Sequence, residues 1–80
     1  MSSLTFYTKK NCPLCEKGYK VLQELQADYS FRIETVDIYE QEEFLEAYQL
    51  KIPVITAGGK ELDYGLITRE KLEPFLAKQK

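Results

Sequence analysis

Eighty residues make one domain, and a content of 44% hydrophobic and 12% aromatic residues is that of a globular chain rather than a disordered one. Eleven basic against thirteen acidic residues give a net charge of −2, and no basic cluster extends beyond Lys9-Lys10, so a nucleic-acid partner is not expected. No stretch approaches the roughly 18 consecutive apolar residues of a membrane span. The opening MSSLTFYTKK lacks the apolar core of a signal peptide, so the expected location is cytoplasmic, where a permanent disulfide is rare.

Residues 3–8 (SLTFYT) are β-branched and aromatic and read as a strand, with Leu4, Phe6 and Thr8 on one face and Thr5 and Tyr7 on the other. From Pro13 the period changes. Leu14, Gly18, Val21, Leu22 and Leu25 fall at i, i+4, i+7, i+8 and i+11, an amphipathic helix ending near Asp28. Pro13 suits the first helical position, and Gly18 on the inner face predicts a close approach of the helix to the sheet. Residues 31–38 (FRIETVDI) alternate as a second strand with Phe31, Ile33 and Val36 inward. Residues 40–49 form a short acidic helix carrying Phe44, Leu45 and Tyr48, and residues 52–56 (IPVIT) a third strand. Gly58-Gly59 is a two-residue hairpin signal before a short fourth strand over residues 60–63.

Thr68 can cap a last helix carrying Leu72, Phe75 and Leu76. Pro74 then lies beyond its first turn, where it removes a helical hydrogen bond, so the helix either starts later or bends. The order is β-α-β-α-β-β-α, without repeats or linkers. A right-handed crossover makes the first two strands parallel neighbours, and the hairpin makes the last two antiparallel. One mixed four-stranded sheet with helices on its faces is expected, an α/β fold.

Cys12 and Cys15 are the only cysteines, and they stand where the first strand gives way to the first helix. As a staple the pair is poor, because a disulfide gains stability with the length of the loop it closes. As a zinc site it is incomplete, since the chain has no His and no third Cys. Only carboxylates or a second subunit would complete it. Redox chemistry suits the placement. A Cys just before a helix meets the positive end of the helix dipole and unsatisfied N–H groups, which favour thiolate over thiol, and Lys9 and Lys10 add positive potential. Cys12 is then the more accessible nucleophile, and Cys15, one turn on, attacks the mixed disulfide.

At YTKKNCPLC, with KIPVITAGGKEL some forty residues later, the chain resembles a glutaredoxin-like protein of the thioredoxin superfamily, over essentially its whole length. It is most similar to a small bacterial branch with tails like GKELDYGLITREKLEPFL. The resemblance implies a thioredoxin-like fold, a redox disulfide between Cys12 and Cys15, and the roles of nucleophile and resolving thiol just given. It also implies a cis Ile52–Pro53 peptide facing the cysteines, in a loop that pairs through its backbone with an extended substrate, and places Lys9, Pro13 and Tyr64 near that substrate. Standard glutaredoxins hold glutathione with a Thr-Val-Pro loop and a Gly-Gly followed closely by Asp. Here the loop is Lys51-Ile52-Pro53 and the later stretch Asp63-Tyr64-Gly65-Leu66, with a single glycine and no acid after it. Asp63, which precedes the glycine, could swing into that role. Leu14 replaces the family's aromatic between the cysteines, and Phe6 stands where thioredoxins bury an Asp.

The expectation is a monomeric thiol–disulfide oxidoreductase acting on protein or small-molecule disulfides. Its electrons would come from a thiol reductant of the glutathione or thioredoxin-reductase type. It needs no cofactor and no metal, and glutathione is expected to bind weakly or not at all. The alternative is a non-catalytic redox sensor, or a dimer bridging a metal or iron–sulfur centre.

Overall fold

The structure is a computed structural model, and it describes residues 2–78. Seven elements follow in the expected order: β1 (Ser2–Thr8), α1 (Pro13–Asp28), β2 (Phe31–Asp37), α2 (Glu42–Tyr48), β3 (Val54–Ala57), β4 (Lys60–Tyr64) and α3 (Arg69–Lys78). A 3-10 turn, Ile38–Glu40, joins β2 to α2. The strands lie in the order β2-β1-β3-β4. β1 runs parallel to β2, with Leu4 opposite Ile33 and Thr8 opposite Asp37. It runs antiparallel to β3, with Phe6 opposite Ile55 and Tyr7 opposite Val54. The β3–β4 hairpin turns on Gly58 and Gly59, both at positive φ (57° and 83°), as a tight primed turn requires.

The sheet separates two unequal layers. On one face, Leu4, Phe6 and Ile55 pack against Leu22 and Leu25 of α1 and Leu72 and Leu76 of α3, the main core. On the other face Tyr7 meets α2, its ring 4.5 Å from that of Tyr48 and 5.2 Å from that of Phe44. Among the described residues, no helix is long and apolar enough to cross a membrane.

Several expectations shift in detail. Val36 does not share the inner face with Phe31 and Ile33, because its register partner is Tyr7 and the α2 layer lies on that side. β2 ends at Asp37 rather than residue 38, since the Asp37 carboxylate accepts the Tyr39 N–H at 2.9 Å and starts the 3-10 turn, with Ile38 fully buried. α2 therefore begins later, at Glu42. Leu14 is 41% exposed, and Cys15 takes the inward place in the first turn of α1. α3 begins at Arg69, directly after Thr68, and runs on through Pro74. Pro74 and Glu70 are both exposed, so the carbonyl that loses its donor lies on the solvent side.

Candidate active site

β1 leads straight to the cysteines. After Thr8 the chain turns through Lys9, Lys10 and Asn11, and Asn11 takes a left-handed φ of 56°, a conformation that Asn tolerates better than most residues. The turn sets Cys12 as the N-cap of α1, extended at φ −119° and ψ 102°, with Pro13 in the first helical turn. The Cys12 carbonyl accepts the N–H of Glu16 at 3.1 Å and opens the helix. Its Sγ accepts the N–H of Cys15 at 3.2 Å. A sulfur thus fills the capping role usually held by a Ser or Asp oxygen, and a negative charge on it gains from the same donor and the helix dipole.

Cys12 and Cys15 are paired at disulfide distance, their Cα atoms 5.1 Å apart. Both belong to the main core cluster, Cys12 with 8% of its surface exposed and Cys15 with 4%. Gly18, one turn after Leu14, fixes how α1 sits. A Cβ there would lie 2.9 Å from Cγ1 of Ile67, in the β4–α3 connection, and 3.5 Å from the Phe6 ring. The close approach read from the sequence is real, and the partner is that loop as well as the sheet.

The other expected site residues gather at the same end of the sheet. β3 is antiparallel to β1, so Pro53, just before Val54, lies at the end where β1 delivers Cys12. Tyr64 is opposite Val54 at the end of β4. Pro53 is buried, and the Ile52–Pro53 peptide is cis. The Gly65 N–H donates to the carbonyls of Pro53 (2.8 Å) and Lys51 (3.1 Å), tying this loop to the β4–α3 connection. Lys51 Nζ lies 3.3 Å from the Glu61 carboxylate and 5.0 Å from the centroid of the exposed Tyr64 ring.

A groove of about 680 Å³ opens on both cysteines, and it does not include Ile52, Pro53 or Tyr64. Phe6 and Thr35, register partners on β1 and β2, line its sheet side. Tyr19, Lys20 and Gln23 line its α1 side, and Lys9 and Glu16 stand beside the cysteines. Of the expected residues, Lys9, Cys12 and Cys15 therefore share one groove, while Ile52, Pro53 and Tyr64 lie outside its lining, with Ile52 packed against the core cluster that holds both cysteines. The sequence reading missed Tyr19, Lys20 and Gln23. They recur at helical spacing from Cys15 and Glu16, so a helical projection of α1 would have found them.

Asp63 does not swing toward a ligand. Its side chain is only 3% exposed, and it accepts the N–H groups of Tyr64 (2.8 Å) and Thr68 (3.3 Å) and the Lys71 ammonium (3.2 Å). The carboxylate anchors the start of α3.

The model of the glutaredoxin-like domain (DUF836) matches residues 3–77. The chain belongs to this glutaredoxin-like family. Its fold is that of solved relatives. A protein of Nitrosomonas europaea, solved in solution, is 27% identical over 94% of this chain and 91% of its own, with a TM-score of 0.85. A structural-genomics target from X. campestris is 26% identical over 94% of this chain and 96% of its own, with a TM-score of 0.77. A mutant thioredoxin from Halobacterium salinarum, 20% identical over 96% of this chain and 73% of its own, superimposes with a TM-score of 0.67, so the glutaredoxin-like chain has a thioredoxin-like fold.

Proposed function

We propose that this glutaredoxin-like protein is a thiol–disulfide oxidoreductase, with Cys12 as the nucleophile and Cys15 as the resolving thiol. The observation that carries the reading is the Cys12 Sγ at the N-cap of α1, accepting the Cys15 N–H while Cys15 sits within bonding reach. In the reduced protein the Cys12 thiolate attacks one sulfur of a disulfide RSSR′, and the other sulfur leaves as a thiolate and takes a proton. Cys15 gives up its proton and attacks Cys12 Sγ, and the remaining thiol departs. The protein ends as the disulfide, and two thiols have been released.

Ile52, Pro53 and Tyr64 support docking of an extended substrate, because the strand order brings them to the end of the sheet that holds Cys12. Glutathione is a weak partner in this reading. A γ-glutamyl group needs an acid for its ammonium, and Asp63 is committed to α3. Single-turnover reduction of a mixed disulfide by the pre-reduced protein, with no free thiol present, tests the reading. Cys12→Ser should abolish turnover, and Cys15→Ser should trap the substrate on Cys12. Turnover that survives Cys12→Ser would overturn the reading.

A further inference from the structure

We propose that the outer edge of β2 pairs with the same edge of a second copy of this chain, antiparallel and centred on Ile33, so that two sheets join into one. The inference stands apart from the oxidoreductase reading and replaces the monomer expected from the sequence. The sheet has two edges, β2 and β4. β4 is five residues long, and its register with β3 shifts between Ile55 and Thr56, an irregularity that blunts an edge. β2 runs seven residues in unbroken register with β1 and contains neither Pro nor Gly, so its outer N–H and C=O groups stay in line for another strand. Its exposed charges are Arg32 and Glu34, two residues apart and therefore on one face. Among the described residues neither forms an ion pair within the chain.

These two charges select both the occupant and the register. A two-fold axis normal to the sheet keeps each face on its own side, so every residue opposes one on the same face. Centred on Ile33, Arg32 lies opposite Glu34 of the second copy and Glu34 opposite its Arg32, two opposite-charge pairs. Centred on Arg32 or on Glu34, the axis sets a charge against its own copy, which is unfavourable. Glu34 gives Oε1 to the Ser3 hydroxyl at 3.3 Å and keeps Oε2 for the second copy. Ile33, half-buried against the main core, meets its own copy and loses its remaining exposure. Gln26 already donates to the Phe31 carbonyl at 3.1 Å, so the new ladder is short. A contact of this size gives a weak dimer, with a Kd on the order of 0.1–1 mM.

The test is sedimentation velocity from about 20 µM to about 2 mM, in excess dithiothreitol so that no Cys12-linked dimer counts. Wild type should pass from monomer towards dimer, and the amide resonances of residues 32–36 should move over the same concentrations. Arg32→Glu leaves only acids on that face of the edge and Glu34→Arg only bases, so each should weaken association about tenfold or more. The two single variants mixed in equal amounts should associate again, because each meets its opposite charge. The double variant Arg32→Glu/Glu34→Arg restores both pairs only when the axis passes through Ile33, and it should match wild type. Wild type that stays monomeric throughout, single variants that associate as wild type does, or a double variant and a mixture that do not recover would overturn the pairing. The wild-type resonances keep the test independent of how the variants fold: concentration-dependent shifts confined to another surface would overturn β2 as the interface.

Discussion

A methyl group added at Gly18 would meet Cγ1 of Ile67 at 2.9 Å, and that atom is in the middle of a buried side chain rather than at its free end. Ala in place of Gly gains about 1 kcal/mol of helix propensity. Overpacking costs typically ~1–3 kcal/mol. The contact should win, so Gly18→Ala is expected to lower stability by about 1 kcal/mol in urea unfolding. In an Ile67→Ala background the obstacle is gone and the same substitution should become neutral or stabilising. An unchanged cost there would show that the contact is not the cause. Asp63 offers a second residue-level test. Asp63→Ala strands the N–H groups of Tyr64 and Thr68 and should cost about 2–3 kcal/mol. Lys71→Met removes only the exposed partner and should cost less than about 1 kcal/mol. Equal losses would mean that the ion pair, and not the backbone anchoring, holds the β4–α3 connection. Sequence alone pointed to Gly18 through its place in an apolar stripe. It could not assign Asp63, because a carboxylate near a glycine reads equally well as a ligand or as an anchor until its partners are in place.

At the scale of elements, the long strongly patterned segments were legible and the short ones were not. β1 and α1 follow their periodicities almost to the residue, since a whole face of each is buried. Leu14 fits the spacing but not the burial, because the inward place in the first turn of α1 goes to Cys15. Val36 was misplaced although the period of two carried the answer, as it breaks parity with Phe31 and Ile33. The redox pair was visible because it sits at a strand–helix junction. The groove beside it was not, because Thr35 comes from a strand that only the fold brings near. One clamp between elements is directly testable. Arg69 at the start of α3 reaches Asp28 at 2.8 Å and Glu24 at 3.7 Å at the end of α1, and Glu73 at 3.5 Å. Its pKa is raised, chiefly by the Asp28 hydrogen bond. Arg69→Met should loosen α3 without unfolding the sheet, seen as faster amide exchange in residues 72–78 and no change in β1. The difference should shrink in high salt, where exposed charges are screened. Uniformly faster exchange across the chain would place the effect on global stability instead.

For the molecule as a whole, the sheet divides a well-filled layer under α1 and α3 from a thinner one under α2, and the thin layer holds the Tyr7–Phe44–Tyr48 cluster. Tyr48 has its pKa raised from 10.0, first by burial, then by Tyr7 and Glu61, with Lys51 opposing. A folded-state pKa above the unfolded value means that folding favours the protonated phenol. The contribution is therefore complete below about pH 10 and is lost as pH rises through the folded value. Urea midpoints measured from pH 8 to 11 should fall at the alkaline end. Tyr48→Phe keeps the ring stacking and removes the ionisable group, so its midpoints should fall less steeply over that range. Redox activity should not follow, because the cysteines belong to the opposite layer. If wild type and Tyr48→Phe lose stability in parallel, the alkaline loss belongs to other groups and the α2 layer does not set the upper pH limit of the fold.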